Sequence, residues 1–249
     1  MLFQIAMVTG NNVVLEPLAR QVLRCLAAFV IYVLPCLAVL VPVRFLTKLP
    51  SFVFRKMLHF IAFSCVTLMI LTAPSWQAAA VLAVLIAVAV YPILGLLENK
   101  PWFGKLFVQK SPGEIKRSLL MLMFMFAALI AVAWGIFGEP VLAAAAILMW
   151  GTGDAAAALV GIPLGKHKVH CRFTDGKKSW EGSGAMFLTA FISGMLVLCL
   201  AQKTPFLTAL PVVFIAALLG AVTELVSSSE IDTVTVPVVI LAFLLIAGV

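Results

Sequence analysis

The chain has 249 residues, of which 64% are hydrophobic and 11% are charged, and its mean hydropathy is +1.19. These values exclude a soluble globular protein, and the apolar segments leave no room for a separate soluble domain. The net charge of +7 at pH 7 suits anionic lipid headgroups or an anionic substrate. The composition predicts an all-α, polytopic integral membrane bundle that forms one domain over residues 1–249.

Eight apolar runs follow one another along the chain. A helix that crosses a bilayer needs about 20 apolar residues, and the runs lie at about residues 22–43, 52–71, 76–97, 118–137, 141–161, 182–201, 206–226 and 234–249. Pro163 is expected to break the fifth helix, because proline lacks the backbone N–H that a helix needs. The last run is about 24 Å long as a helix, which is marginal for spanning. The prediction is eight transmembrane helices, with seven as the alternative.

The basic residues are concentrated in alternate loops. All of the 17 lysines and arginines except Arg20, Arg24 and Lys203 fall in or beside the loops that follow the first, third and fifth helices. Loops rich in lysine and arginine are usually cytoplasmic, although Arg20 and Arg24 then lie outside, against the rule. Topology alone would produce much of this bias. The predicted cytoplasmic active-site loops are segments 44–56, 98–117, 162–181 and 224–233.

Acidic residues stand among these basic residues. Asp154 lies inside the fifth apolar run, where an ionisable group is costly and marks a functional site by default. Carboxylates suit Mg²⁺, which binds through one or two of them plus substrate phosphates, while lysine and arginine neutralise phosphate charge. Gly153 would allow close backbone approach, but Gly153, Ala157 and Gly161 also form a small-residue packing stripe. The pattern predicts a metal-bound polyphosphate site; the alternative is that Asp154 is a packing residue paired with a loop lysine.

Four groups of residues on this face are similar to the motifs of one enzyme family. They are Arg55-Lys56-x-x-His59; residues 113–118 (G-E-I-K-R-S); Gly153-Asp154 with Ala157, Gly161 and Gly165-Lys166, followed by Lys178-Ser179-x-Glu181-Gly182-Ser183; and Thr223-Glu224 with Asp232 and Pro237. The set resembles the polyprenol kinase family of CTP-dependent lipid-alcohol kinases, which includes dolichol, phytol and farnesol kinases and the yeast-type diacylglycerol kinase. Thr233 stands where the family pattern has asparagine.

The resemblance implies a phosphotransferase that moves a phosphoryl group from CTP to the hydroxyl of a membrane lipid. The lipid is a polyprenol, a phytol-like alcohol or a diacylglycerol, and it should enter laterally between helices. Mg²⁺ is the implied cofactor, the bilayer is a partner and nucleic acid is not. Such catalysis rests on positioning and electrostatics.

Each candidate residue receives a role within this expectation. Asp154 is the first Mg²⁺ ligand, with Glu224 or Asp232 as the second, and Lys178 with Lys177 holds the phosphates. Three acids at one site would repel unless a cation or Lys178 joined them. Glu181 is a third catalytic candidate that either binds the metal or pairs with Lys178, and the general base is unassigned. The other nucleotide-binding candidates are Glu114, Lys116, Arg117, Gly153, Lys166, Arg172 and Ser179, and Arg55, Lys56 and His59 belong to the same site.

Other assignments fit less of the pattern. A cytidylyltransferase that forms a CDP-lipid also brings CTP and Mg²⁺ to a lipid and is the alternative enzyme. An ion or lipid transporter would show two halves with matching broken helices, which the sequence lacks. Residues 161–167 resemble a P-loop but are one residue short and end in His167. Residues 151–154 resemble the G-x-G-D of intramembrane aspartyl proteases but have no earlier partner aspartate.

Overall fold

A computed structural model describes residues 16–47, 49–98, 100, 103, 113–169, 176, 178–228 and 231–249. Eight helices form in this part of the chain, and the described residues contain no strand. The helices are α1 (Leu18–Leu46), α2 (Ser51–Thr72), α3 (Trp76–Leu97), α4 (Glu114–Ile130), α5 (Pro140–Leu164), α6 (Trp180–Val197), α7 (Phe206–Val226) and α8 (Asp232–Ala247). The predicted all-α bundle is confirmed.

Seven of the described helices are long and apolar enough to cross a membrane. Two of them reach that length through π-helical extensions, Ala131–Ile136 after α4 and Leu198–Gln202 after α6. The eighth, α8, has 16 residues and is about 24 Å long, shorter than the roughly 30 Å hydrocarbon core. The chain is therefore a multi-pass membrane protein, with seven helices of spanning length and one shorter helix in its described part.

Helix α5 forms the centre of the bundle. Ala143, Ala144, Ala145, Ala146 and Ile147 are fully buried, and such small side chains let neighbouring helices approach closely. Farther along, a Cβ at Gly151 would lie 2.0 Å from the ring of Phe63, so only glycine fits there. Phe63 also packs edge-on against Trp150 and Phe126, with ring centroids 4.6 and 5.0 Å away. This aromatic cluster joins α2, α4 and α5.

The predicted small-residue stripe packs α5 against α6. A Cβ at Gly153 would lie 2.9 Å from Met186, and one at Gly182 would lie 2.9 Å from the Ala157 carbonyl. The same added Cβ at Gly182 would lie 3.3 Å from the Cα of Gly161. The two helix backbones are therefore almost in contact, and the glycines of the stripe are packing residues.

Three predicted boundaries are wrong, and the first is the start of α1, which lies at Leu18 instead of near residue 22. Helix α5 does not break at Pro163 but runs to Leu164. The proline removes one backbone N–H, but the last turn still closes after it, because Gly165 N–H donates to the Gly161 carbonyl at 3.2 Å. Helix α4 begins at Glu114, four residues earlier than predicted, because Gly113 adopts a left-handed conformation (φ 74°) before it. An acid in the first turn is favoured by the helix dipole.

The helices place one set of ends together, which we call the charged end. There α2, α4, α6 and α8 begin and α1, α3, α5 and α7 end. At the opposite end Arg20 and Arg24 lie 3.8 and 2.8 Å from Glu16, so the two basic residues that conflict with the predicted topology both pair with one acid. Ser75 and Gln21 also contact each other at that end, which joins the starts of α3 and α1.

Candidate functional site

The first group of the site, the Asp154 cluster, consists of Lys56, His59 and Asp154. Nζ of Lys56 lies 2.6 Å from Oδ2 of Asp154, and Nδ1 of His59 lies 3.9 Å from the same oxygen. Lys56 is 14% exposed and Asp154 is 30% exposed. Asp154 is ten residues before the end of α5, about 15 Å from it, so the cluster lies deeper than a helix-end site. The first turns of α2 bring Lys56 and His59 to it.

The second group, the Lys178 cluster, consists of Lys178, Ser183, Glu224 and Asp232. Nζ of Lys178 contacts the Glu224 carboxylate and lies 2.7 Å from Oδ2 of Asp232. The hydroxyl of Ser183 donates to Oε2 of Glu224 at 3.3 Å. Glu224 is only 7% exposed. Thus the loop before α6, the end of α7 and the start of α8 meet at a single ammonium group.

The Lys178 cluster carries two carboxylates for one lysine. Burial by itself would lower the pKa of Lys178, but attraction to Glu224 and to Asp232 outweighs it and raises the pKa above the ordinary lysine value. The lysine therefore stays protonated, with two carboxyl groups as its partners. Lys178 lies between two of the three predicted acids, Glu224 and Asp232. A cation in this position was expected, because the acids would otherwise repel each other.

Further ion pairs fix the ends of α2, α3 and α4. Nη1 of Arg55 lies 3.2 Å from Oε1 of Glu114. Glu98 accepts a hydrogen bond from Gly113 N–H at 2.8 Å and lies 2.7 Å from Nζ of Lys116. Glu114 and Lys116 were both predicted to bind nucleotide, and here they hold α4 against its neighbours. Arg117 is exposed on the first turn of the same helix.

Glu181 and Ser179 organise the turn between α5 and α6. Glu181 accepts hydrogen bonds from the backbone N–H groups of Lys166 and His167, each at 3.2 Å, and lies 2.7 Å from Nδ1 of His167. Ser179 caps α6, its hydroxyl oxygen accepting from Gly182 N–H at 3.2 Å, and it is buried. The sequence left Glu181 as a metal ligand or a partner of Lys178; it pairs with the turn, and Lys178 pairs with other acids.

The structure divides the predicted metal ligands between the two clusters. Asp154 pairs with Lys56, whereas Glu224 and Asp232 pair with Lys178. Among the described residues, no group of three or more histidine, cysteine, aspartate and glutamate side chains lies close enough to hold a metal ion. The Mg²⁺ site stays a prediction. Arg172 and Lys177 lie outside the described residues.

Sequence reasoning missed two contacts. The sequence grouped Lys56 and His59 with the site but did not pair them with Asp154. Their i, i+3 spacing places both side chains on one face of α2, and this shared face could have suggested a shared partner. Sequence reasoning also gave no role to Glu98, which holds α4 in place. No local signal identifies Glu98, because its partners come after a long intervening segment.

One relative shows the family to which the chain belongs. A phytol kinase from Synechocystis sp. (strain ATCC 27184 / PCC 6803 / Kazusa) is 34% identical to the chain over 196 residues, which is 76% of each chain. The chain belongs to the polyprenol and phytol kinase family. This membership confirms the resemblance drawn from the motifs. No family model matches the chain, and no solved structure matches it significantly.

Proposed function

We propose that the protein is a lipid-alcohol kinase that uses CTP to phosphorylate a phytol-like isoprenoid alcohol at the cytoplasmic face of the membrane. In this reaction the lipid oxygen forms a bond to the γ-phosphorus, the bond from that phosphorus to the β–γ bridging oxygen breaks, CDP leaves with the electron pair, and the hydroxyl proton is released. The similarity to a phytol kinase over most of the chain is the observation that carries the proposal.

The arrangement of charge at the charged end supports it. Phosphoryl transfer needs little covalent chemistry from the protein and depends on positioning and charge stabilisation. In our proposal Lys56 and Arg55 face the nucleotide phosphates, and Asp154 holds Lys56 in place. Both lysine and arginine are common phosphate partners.

Glu224 and Asp232 are the residues that would hold Mg²⁺. They fit the ion because they are hard oxygen donors that already share one cation, the ammonium of Lys178. A magnesium ion bound there would offset charge on the transferring phosphate. If Glu224 and Asp232 bound the ion, Lys178 would lose these two partners and could contact the nucleotide. Asp154, predicted as a metal ligand, would join such a site only after leaving Lys56.

The test is a reaction with purified protein in nanodiscs, γ-labelled CTP or ATP, and phytol, a polyprenol or diacylglycerol. We expect labelled lipid phosphate and free CDP, with CTP outcompeting ATP and phytol the best acceptor. In a parallel reaction with a lipid phosphate as the acceptor, transfer of CMP to that phosphate with release of pyrophosphate and formation of a CDP-lipid would identify the alternative cytidylyltransferase. Strong preference for ATP with CTP inert would overturn the donor, and the absence of any lipid product would overturn the enzyme.

A further inference from the structure

An apolar groove runs along the bundle between α4 and α8. Its volume is about 430 Å³, and it is lined by residues between positions 125 and 137 on α4 and its π-helical extension, and between positions 238 and 246 on α8. Every lining side chain is apolar. Phe137, Val238 and Ile246 are exposed, so the groove opens sideways to the bilayer. None of the described residues at the charged end lines it.

We propose that this groove holds the hydrocarbon chain of the lipid-alcohol substrate, with its hydroxyl directed at the Lys178 cluster. The inference rests on the proposed function. It adds the place where the lipid binds and the kind of hydrocarbon chain that fits there. The groove is bounded by one wall from each of two helices, and its volume of about 430 Å³ falls at the small end of the range for ligand pockets. A single isoprenoid chain fits this shape, and the two chains of a diacylglycerol do not.

Helix α8 connects the groove to the charged end. Its first residue is Asp232, whose carboxylate lies 2.7 Å from Nζ of Lys178. Val238 begins the groove six residues later, about 9 Å along the helix, and Ile246 lies about 21 Å from Asp232. This path is longer than one bilayer leaflet of about 15 Å. A long-chain alcohol can therefore occupy the groove while its hydroxyl reaches the cluster, and a short alcohol cannot do both.

A second apolar groove on the other side of α4 offers a contrast. It lies between α3 and α4, has a volume of about 300 Å³ and includes Ala80 and Ala131. At the charged end the seam between these helices is closed, because Glu98 binds both Gly113 N–H and Lys116. A chain in this groove would not lead to the Lys178 cluster. The α3–α4 groove therefore supplies a matched control.

The first experiment fills each groove with a larger side chain. Ala128→Phe and Ala242→Phe narrow the α4–α8 groove from its two walls, and Ala80→Phe is the control. We expect the first two to raise KM for phytol at least about tenfold, a loss of about 1.4 kcal/mol. Turnover of prenol, a short alcohol that does not fill the groove, should change less than about twofold. An equal effect on both alcohols, or the same phytol effect in Ala80→Phe, would overturn the proposal.

A second experiment does not depend on turnover or on the filled variants folding. A phytol analogue with a photoactivatable group near the chain end is cross-linked to the wild-type protein in nanodiscs, with and without excess phytol. We expect label within residues 125–137 and 238–246, displaced by phytol and weakened in Phe137→Ala, which widens the groove. Label displaced equally by phospholipid would show a groove filled by ordinary bilayer lipid and overturn the inference. Specific labelling without kinase activity would uphold the groove and reject the proposed reaction instead.

Discussion

The Asp154 cluster and the Lys178 cluster are both lysine–carboxylate pairs, but their charge balance differs. In the first, one carboxylate faces a lysine and a histidine; in the second, two carboxylates face one lysine. Counted by formal charge with histidine neutral, the first cluster is neutral and the second carries one negative charge. A site without excess negative charge suits phosphate, and one with excess carboxylate suits a metal cation. In our proposal the metal therefore moves from Asp154 to Glu224 and Asp232, whereas Lys178 keeps the contact with the nucleotide that the sequence predicted.

Removing the acid of the first cluster should have the largest effect. Asp154→Asn keeps the shape of the side chain but leaves Lys56 without its counter-charge and positioning partner. We expect the rate of phosphoryl transfer to fall at least about a hundredfold, roughly 3 kcal/mol. The measurement is the initial rate with CTP and phytol, and thermal unfolding checks that the variant is folded. A folded variant with a near-normal rate would show Asp154 to be a packing residue.

The second prediction separates the clusters by their response to metal. Glu224→Gln keeps the hydrogen-bonding capacity toward Ser183 but removes one charge from the Lys178 cluster. We expect the Mg²⁺ concentration for half-maximal rate to rise about tenfold, which corresponds to roughly 1.4 kcal/mol. The matched comparison is a Mg²⁺ titration of Asp154→Asn, in which the maximal rate should fall with a smaller shift of the midpoint. The opposite pattern would restore Asp154 as the main metal ligand.

The smallest effect is expected at the position that departs from the family pattern. The hydroxyl of Thr233 lies 3.4 Å from Oδ1 of Asp232, at the edge of hydrogen-bond distance. Thr233→Asn places an amide there that can make the same weak contact. We expect the rate and the Mg²⁺ midpoint to stay within about threefold of the wild type. A larger gain would show that the amide contributes to the site in a way that threonine does not.

The sequence predicted the helices better than the contacts between them. The bounds of α3 and α7 match the prediction, because a turn of proline and polar residues precedes each helix and a charged or polar stretch follows it. The start of α4 was missed because its first turn is polar and was assigned to a loop. Apolar runs are a local signal, so they are readable without knowledge of the partner helices.

The pairing of the site residues was harder to predict. All the acids and lysines of the two clusters were named, but which lysine meets which acid depends on how each helix is rotated about its axis. For α5 that rotation follows from packing such as Gly151 against Phe63 and Gly153 against Met186. These contacts join residues far apart in sequence, so no local pattern encodes them. The sequence therefore named the residues of the two clusters without showing which of them contact each other.

The Lys56–Asp154 pair also has a consequence for biogenesis. Of the seven helices of spanning length, α2 and α5 are the least apolar, and a carboxylate near the middle of a helix makes insertion by the translocon less favourable. Helix α2 is synthesised earlier, so Lys56 is already in the membrane when Asp154 emerges from the ribosome. We expect α5 to insert less completely by itself than behind α2, as a glycosylation-based insertion assay would measure. The same ion pair that orders the site would then also help the nascent chain to take its place in the bilayer.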